Sequence, residues 1–488
     1  MKSPIFSSFN EDRSLSSSTD LCINLFPETV PGPRGPVIGL LLNCPGLTTA
    51  LAAMGAGPVR ATYTAKNGLM YAVSGNGLYS VDASWNTTLL GTIATSSGPC
   101  SIIDSPTQIL VVDGVGGWCW NFSTATFTQV IPNSTTDDTG PNVAIYQDGF
   151  GLVNSLNTNE IYQTQYNDLS LFAAPTGAGG STANNAFVQG NPQNVRTMFD
   201  LEQEAWMFKQ KGVEVWINQG APGFAFAQLQ GVYLPVGIDA PSSIARLNDG
   251  LAWLGSGDEG SGVVYLSVGY KHKVISTPQI AEIFRGYSKR SDAIAYTYQQ
   301  DNHWFYVITF PTANATWAFD LTTGKWHQRL YFSNGAFGRE IANCHAFFNG
   351  KHVVGDYRNG NIYALDPGTY TDAGAPRKWL RSWSALGDSA PRAPMSFDSL
   401  QILMQTGITV PAGTNPQIDL RFSDDGGYTW NGPFQMPAGQ TGQTAWRVIQ
   451  NRLGSTSLTR GLDRIWEISG NDPIGIQITG ADWTGGPA

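Results

Sequence analysis

Hairpin-like units recur seven times along the middle of this 488-residue chain. Each unit has an apolar or aromatic strand, a turn rich in Gly, Asn or Asp, and a second strand, as antiparallel hairpins do. A strand–turn–strand theme that returns roughly every 40–50 residues is typical of β-propeller blades. The units begin near Asn67, Ile109, Asp148, Glu204, Asp249, Asp301 and Asn349, at spacings between 39 and 56 residues.

A string of β-sandwich domains is the main competing architecture, because it would also show many short strands and turns. The composition favours the propeller. Charged residues make up only 13% of the chain, well below the usual quarter or so. A chain with so few charges has little means of protecting open sheet edges, and circular closure removes those edges. Helical signal is poor, and the best candidate, residues 279–286, is short.

The sequence therefore predicts an all-β protein with three parts. Residues 1–49 are expected to form an N-terminal arm and a strand. Residues 50–375 should form a propeller-like body of six or seven blades. Residues 376–488 should form a C-terminal antiparallel β region, in which strands alternate apolar and polar residues as half-buried strands do.

The C-terminal region contains the pattern Ser-x-Asp-x-Gly-x-Thr-Trp, which resembles the Asp-box of β-propeller proteins, including sialidases. An alternating strand, residues 417–422, precedes it. Aspartate can hydrogen-bond nearby backbone, and glycine adopts positive φ without steric cost. The pattern is therefore interpreted as a braced hairpin turn with a structural role, and its residues are Ser423, Asp425, Gly427, Thr429 and Trp430.

Charge is distributed unevenly along the chain, whose formal net charge is −9. Residues 377–488 carry nine Lys/Arg and nine Asp/Glu, so residues 1–376 account for the whole excess of acid. An acidic body argues against tight nucleic-acid binding, which depends on cations that neutralise phosphates. Arginine pairs well with carboxylates, either within the chain or on a partner. Arg447, Arg452, Arg460 and Arg464 are the candidate assembly contacts.

No constellation for catalysis or metal binding stands out. The five cysteines are odd in number and lack CxxC spacing, which favours reduced thiols over disulfides or a zinc site. Sialidase chemistry needs clustered arginines and a tyrosine–glutamate pair, and no spacing links Glu160, Glu204 or Glu214 to such a set. We expect no enzymatic activity, no catalytic residue, no cofactor and no metal. Acidic pairs such as Asp137-Asp138 and Asp424-Asp425 are interpreted as solvated turns.

The first residues show no apolar segment typical of a signal peptide, and no apolar run approaches the length of a membrane span. We therefore expect synthesis in a reducing cytosol and no membrane span.

Both ends of the chain resemble the packaged-DNA stabilisation proteins of short-tailed phages, also called tail hubs or nozzles. At the start, Cys-Ile-Asn-Leu-Phe-Pro-Glu at residues 22–28 and Asn-Cys-Pro-Gly-Leu at residues 43–47 carry the resemblance. At the end it is carried by residues 423–430, 452–454, 463–473 and 480–481. The middle is similar only in its blade-like pattern.

The resemblance implies a non-enzymatic protein in the virion tail, made in the host cytoplasm. It implies a homo-oligomeric ring, expected to be a hexamer, below the portal and adaptor. Such a ring closes the tail channel, retains packaged DNA and forms the conduit for ejection, while double-stranded DNA passes without tight binding. Tail fibre or tailspike proteins are further candidate partners. The alternative is a carbohydrate- or receptor-binding propeller, with a sialidase-like fold, on a virion or cell surface.

Overall fold

Strands account for nearly all the regular structure of the chain. The computed structural model describes residues 1–7, 9, 20–32, 37–131, 140–172, 184–190, 193–257, 260–386, 394–456 and 464–487. The described residues form 45 strands, one α-helix and one turn of 3₁₀ helix. The all-β class predicted from the repeats is confirmed.

Six short strands precede the first blade. Four of them pack with the C-terminal region and two close the propeller. They are β1 (Lys2–Ser3), β2 (Cys22–Ile23), β3 (Leu25–Val30), β4 (Val37–Asn43), β5 (Gly46–Leu47) and β6 (Ala52–Ala53).

The first four blades are four-stranded antiparallel sheets. Blade 1 contains β7 (Val59–Thr64), β8 (Met70–Ser74), β9 (Gly77–Val81) and β10 (Thr87–Thr92). Blade 2 contains β11 (Ser101–Asp104), β12 (Gln108–Val112), β13 (Gly117–Asn121) and β14 (Thr126–Ile131). Blade 3 contains β15 (Ala144–Gln147), β16 (Phe150–Asn154), β17 (Glu160–Gln163) and β18 (Asn185–Phe187). Blade 4 contains β19 (Val195–Leu201), β20 (Glu204–Lys209), β21 (Val213–Asn218) and β22 (Phe226–Leu234).

Blade 5 is less regular than the first four and carries the helix. Its members are β23 (Gly237–Ile238), the 3₁₀ turn (Pro241–Ser243), β24 (Ala245–Leu247), β25 (Gly250–Gly257), β26 (Gly260–Val268) and β27 (Lys271–Val274). The helix α1 (Pro278–Gly286) follows. Thr277 caps its N-terminus, where its hydroxyl accepts from Ile280 N, a typical N-cap bond. Ile280 and Phe284 bury its apolar face.

Blades 6 and 7 complete the ring. Blade 6 contains β28 (Ile294–Gln300), β29 (His303–Phe310), β30 (Ala315–Asp320) and β31 (Lys325–Gln328), and the hairpin β32 (Leu330–Ser333) and β33 (Ala336–Arg339) follows it. Blade 7 contains β34 (Ala342–Phe348), β35 (Lys351–Asp356) and β36 (Asn361–Asp366). Its outer position is filled by β5 and β6, which both pair with β36.

The innermost elements of neighbouring blades contact one another around a full circle. From blade 1 to blade 4 these elements are β7, β11, β15 and β19. Blade 5 contributes the 3₁₀ turn and β24, blade 6 contributes β28, and blade 7 contributes β34, which contacts β7 again. The described residues thus form a seven-bladed propeller. Because β5 and β6 precede blade 1 in the chain and pair with β36 of blade 7, they close the ring of blades non-covalently.

The remaining strands build a β-sandwich beside blade 6. They are β37 (Thr371–Asp372), β38 (Ala375–Pro376), β39 (Trp379–Ser384), β40 (Met395–Met404), β41 (Gln417–Ser423), β42 (Asn431–Pro437), β43 (Val448–Asn451), β44 (Ile465–Gly470) and β45 (Gln477–Pro487). Of these, β37 and β38 extend the sheet of blade 7, and the others form the two layers.

One layer of the sandwich is the six-stranded sheet β3-β4-β45-β40-β43, with β1 beside β45. The other layer is continuous with blade 6 in the nine-stranded sheet β28-β29-β30-β31-β2-β39-β44-β41-β42. Between the layers lies a core with fully buried Trp383, Trp466 and Trp483. Residues 1–49, expected to form an N-terminal arm and a strand, contribute β1, β3 and β4 to one layer of the C-terminal sandwich. Residues 10–19 lie outside the described residues.

Candidate functional site

The Asp-box residues lie together in the turn between β41 and β42, at the edge of the nine-stranded sheet. Asp425 is the centre of the turn. Its carboxylate accepts hydrogen bonds from Thr429 N at 2.8 Å, Thr429 Oγ1 at 2.6 Å and Ser423 Oγ at 2.8 Å. Gly427 donates its N–H to Ser423 Oγ at 2.9 Å, and Trp430 Nε1 donates to Gly427 O at 3.1 Å.

Hydrogen bonds explain both the conformation and the charge state of this turn. Gly427 has a φ of 94°, a value that suits glycine. The bonds from Thr429, followed by the bond from Ser423, lower the pKa of Asp425 to about 2. The Asp425 carboxylate therefore accepts hydrogen bonds from backbone and hydroxyl groups of its own turn, and its role is to stabilise the turn.

Arg464 fastens the same hairpin to the sandwich. Its guanidinium binds both carboxylate oxygens of Asp424, at 2.6 and 2.8 Å, and donates to Leu453 O at 2.8 Å. The residue is only 1% exposed and lies 4.0 Å from the ring centroid of Phe422. The structure thus corrects the expectation for Arg464, because this side chain is used inside its own chain and cannot reach a neighbour.

The other arginines of the C-terminal region fall into two groups. Arg377 and Arg381 are buried, and Arg381 donates to the carbonyls of Ile5 and Leu21. Arg447 and Arg452 are exposed at the two ends of β43, and Arg447 contacts Gln401 Oε1 at 2.8 Å. Arg460 lies outside the described residues. Of the four candidate assembly contacts, Arg447 and Arg452 are therefore the two whose described positions leave them accessible.

A buried polar cluster, which sequence reasoning missed, joins blade 6, blade 7 and Cys44 of the N-terminal segment. At its centre, Arg329 is fully buried, bonds the hydroxyl of Tyr298 and lies 4.9 Å from the ring centroid of Phe305. Tyr296 donates to Glu340 Oε2 at 3.1 Å. Burial opposes the charge on Arg329, but Tyr298 and the acidic groups around it raise its pKa overall. These residues are too far apart in sequence for any local pattern to reveal them.

His303 forms a second polar junction at the base of blade 6. Its Nδ1 lies 2.7 Å from Asp320 Oδ2, and its Nε2 lies 2.8 Å from Glu28 Oε2 on β3. Burial disfavours the charged imidazole. The hydrogen bonds to the two carboxylates outweigh that effect and raise the pKa of His303 to about 9. The contact ties the N-terminal strand of the sandwich to the propeller.

The propeller encloses a central cavity of about 570 Å³. All seven blades line it through their innermost elements. Polar groups at the cavity wall are largely engaged: Asp104 accepts from the Tyr63 hydroxyl at 2.7 Å and from Lys66 N at 2.8 Å.

The three glutamates considered for glycosidase chemistry are separated and serve local contacts. Glu214 forms a buried ion pair with Lys209 at 2.5 Å. Glu204 bonds the hydroxyl of Tyr270, and Glu160 bonds the side chain of Asn185. The described residues contain no group of three or more His, Cys, Asp or Glu side chains placed to hold a metal ion.

Across the described ranges, no helix is both long enough and apolar enough to cross a membrane.

The chain matches a known protein family over most of its length. Residues 1–370 fit the family described as bacteriophage P22 Gp10, beta-propeller. This span holds three quarters of the chain and ends with the last strand of blade 7 and the turn after it. The chain belongs to this family. It is accordingly a phage structural protein, and the family indicates a location in the virion. No individually curated protein matches the sequence.

Solved structures that are similar to this family member are propellers of diverse origin. The extracellular domain of a hybrid two-component system from B. thetaiotaomicron has 10% identity and a TM-score of 0.40, covering 72% of this chain and 44% of that chain. PorZ of Porphyromonas gingivalis has 12% identity and a TM-score of 0.37, over 73% and 44% of the two chains. The Pan2 WD40 domain of Neurospora crassa has 10% identity and a TM-score of 0.40, over 65% and 95%. The chain thus spans less than half the length of the first two, and likenesses this distant carry no functional argument.

Proposed function

We propose that this protein is the tail hub, or nozzle, of a short-tailed phage. Copies of the chain assemble as a ring, expected to be a hexamer, below the portal and adaptor. The ring closes the tail channel over packaged DNA and later serves as the conduit for ejection. The observation that carries the proposal is the family match over residues 1–370, together with the terminal motifs outside the blades.

The charge of the chain supports a conduit that does not grip DNA. The net charge is −9, so the field of the protein repels a polyanion at long range. In a ring of copies, DNA passes between the subunits, along the axis of the ring. A closed ring is built from head-to-tail contacts between two different surfaces of each copy.

We also propose that the protein has no catalytic activity. The turn that resembles a sialidase Asp-box is saturated by its own hydrogen bonds, and among the described residues beside it Arg421 stacks on Trp430 and pairs with Glu467 without forming an arginine cluster. Arg447 and Arg452 remain candidates for contacts with a neighbouring copy or with the adaptor, because both are exposed at the ends of an edge strand.

The decisive experiment compares virions made with and without this protein. We expect particles that lack it to package a full genome and then to lose it, because nothing closes the channel. Nuclease-protected DNA per particle, measured immediately after packaging and again after purification, reports the loss. Particles that keep their genome and fail only to attach to host cells would support the receptor-binding alternative instead.

A further inference from the structure

Blades 2 and 3, with the outer three strands of blade 1, carry acidic residues and no cations. Residues 67–195, which contain blades 2 and 3 and most of blade 1, include eight Asp/Glu and not one Lys or Arg. Two of the eight, Asp137 and Asp138, lie outside the described residues, and Asp104 and Asp113 are buried. The net charge of residues 67–195 is therefore negative, with no cation to offset it.

The outer strand of blade 5, together with the helix and the segment that follow it, has the opposite character. Residues 271–290 contain five Lys/Arg and one Glu, a net charge of +4 in an acidic protein. Arg285 pairs with Glu282 at 2.6 Å and Arg290 lies 3.8 Å from Asp239. The other three cations, Lys271, Lys273 and Lys289, are exposed and have no ion pair among the described residues.

Apolar side chains accompany the cations of the outer strand. Val268 is 60% exposed and Tyr270 is 46% exposed, both in or beside the hairpin that joins β26 to β27. Strand β27 pairs only with β26, so its other edge is open. We name the surface of Val268, Tyr270, Lys271 and Lys273 the blade 5 edge.

Blade 3 carries a surface with matching features. Tyr166 is 66% exposed, Phe187 on the outer strand β18 is 50% exposed and Leu171 is 41% exposed. Asp148 is exposed in the turn between β15 and β16, at the same end of the blade as Tyr166, and Glu160 lies in register with Phe187 at the opposite end. We name this surface, with the partly exposed Asp168, the blade 3 edge.

We infer that the blade 5 edge of one copy docks on the blade 3 edge of the next copy. Lysines then meet carboxylates that have no cation in their own blade, and exposed aromatic and aliphatic side chains meet at the centre. Complementary charge guides association and fixes register, while aromatic residues are typical of interface cores. This inference deepens the proposed function and rests on its ring of identical copies.

The placement of the two edges agrees with a closed ring. They are different surfaces of one chain, which is the requirement for a head-to-tail contact. In a seven-bladed propeller, blades 3 and 5 lie about 100° apart around the axis. If the propellers lie in the plane of the ring, closed rings of five or six copies need contacts about 110–120° apart. Edges on opposite sides of the disc would build an open filament.

A second copy suits the blade 5 edge better than DNA does. Two lysines are a small footprint for a duplex, whose binding strengthens with each phosphate neutralised. The surrounding chain is acidic and would repel the rest of the duplex. The apolar groups beside the lysines also have no counterpart on a phosphate backbone.

The test reverses charge on one edge at a time. Variant A is Lys271→Glu with Lys273→Glu, and variant B is Asp148→Lys with Glu160→Lys. Lys351→Glu and Asp398→Lys are matched controls, because Lys351 and Asp398 are exposed and lie outside both edges. Self-association is measured by sedimentation velocity and electron microscopy at low and high ionic strength. We expect A and B each to weaken self-association at least about tenfold, and the controls to resemble the wild type.

Mixing restores the complementarity. In variant A both the blade 5 edge and the blade 3 edge are acidic, and in variant B both are basic. Copies of A and B should therefore associate only with each other, in alternation. A ring of six closes under alternation, whereas a ring of five does not. A chain with all four reversals should again associate with itself.

Several results would overturn the inference. They are a wild type that stays monomeric at low salt, association that A and B leave unchanged, and an A–B mixture that stays dissociated. Binding of duplex DNA that is lost in A, with self-association intact, would assign the blade 5 edge to DNA. If variants A and B lose self-association as expected while virions lacking the protein keep their genome, the inferred interface is supported and the hub function is contradicted.

Discussion

At the scale of single residues, the Asp425 turn predicts a defined pH dependence. Its folded pKa of about 2 lies below the ordinary aspartate value, so its contribution to stability is present above about pH 4 and fades as pH falls towards 2. Asp425→Asn should therefore lower the melting temperature at neutral pH, and the difference from wild type should shrink on acidification. Thermal unfolding followed by circular dichroism from pH 7 to pH 3 measures both.

Asp398→Asn is the control for that prediction, since Asp398 is exposed on β40 and should give little change at any pH. A different outcome would contradict the structural role of the turn. If Asp425→Asn removed a glycosidase activity while the melting temperature stayed at the wild-type value, the turn would be catalytic.

Residue patterns predicted the Asp-box because all its contacts lie within eight positions of the chain. The arginines show that local sequence patterns do not predict whether a side chain is buried. Arg447 and Arg464 look alike in sequence, but one is exposed and the other is buried against Asp424, 40 residues away. Burial of an arginine depends on which distant carboxylate the fold brings to it, and no local spacing carries that information.

At the scale of elements, the blade repeat could be predicted from the sequence because the residues that form each turn lie next to one another in the chain. In five blades an Asp or Asn that ends or follows the third strand accepts a hydrogen bond from the backbone N–H two residues on. These residues are Asp82, Asn121, Asn218, Asp320 and Asp366. The turn chemistry is local, so the seven unit starts in the sequence fall within three residues of the second strands of the seven blades. The helix predicted at residues 279–286 is also present.

Strands whose pairing partners lie far away in the chain could not be predicted from the sequence. The fourth strand of blade 7 comes from residues 46–53, and β2 joins blade 6 to the sandwich. Two-residue strands such as these have no periodicity of their own, because two positions cannot show alternation. Their pairing is specified by the edges that the finished blades leave open.

The junction between β3 and blade 6 predicts a second pH effect, of opposite sign. The pKa of His303 rises from 6.5 to about 9 on folding, so its stabilisation is complete below about pH 6.5 and is lost as pH rises through 9. His303→Gln should abolish this part of the alkaline loss of stability, measured as melting temperature from pH 6 to pH 10. His272→Gln, at an exposed position of β27, is the control and should keep the wild-type profile. An unchanged profile in His303→Gln would show that the contact with Glu28 and Asp320 contributes nothing.

At the scale of the whole molecule, the propeller is inserted into the sandwich. Strands β1, β3 and β4 come before the blades and β39–β45 come after them, yet they share two layers and one core. The termini themselves meet, since the Met1 amino group donates to Trp483 O at 2.6 Å. The two units are further joined by the nine-stranded sheet, which runs from blade 6 into the sandwich without a break.

This connection predicts that the propeller and the sandwich unfold together. Separate domains joined by a linker would melt independently, but here melting the sandwich would release β2 and leave the edge of β31 and the buried Arg329 cluster open to water. We expect one calorimetric transition, with coincident loss of tryptophan fluorescence and of β-sheet circular dichroism. Arg464→Ala, which removes the buried partner of the partly exposed Asp424, should shift that single transition to lower temperature without splitting it. Two resolved transitions, with only the first moved by Arg464→Ala, would show that the continuous sheet does not couple the units.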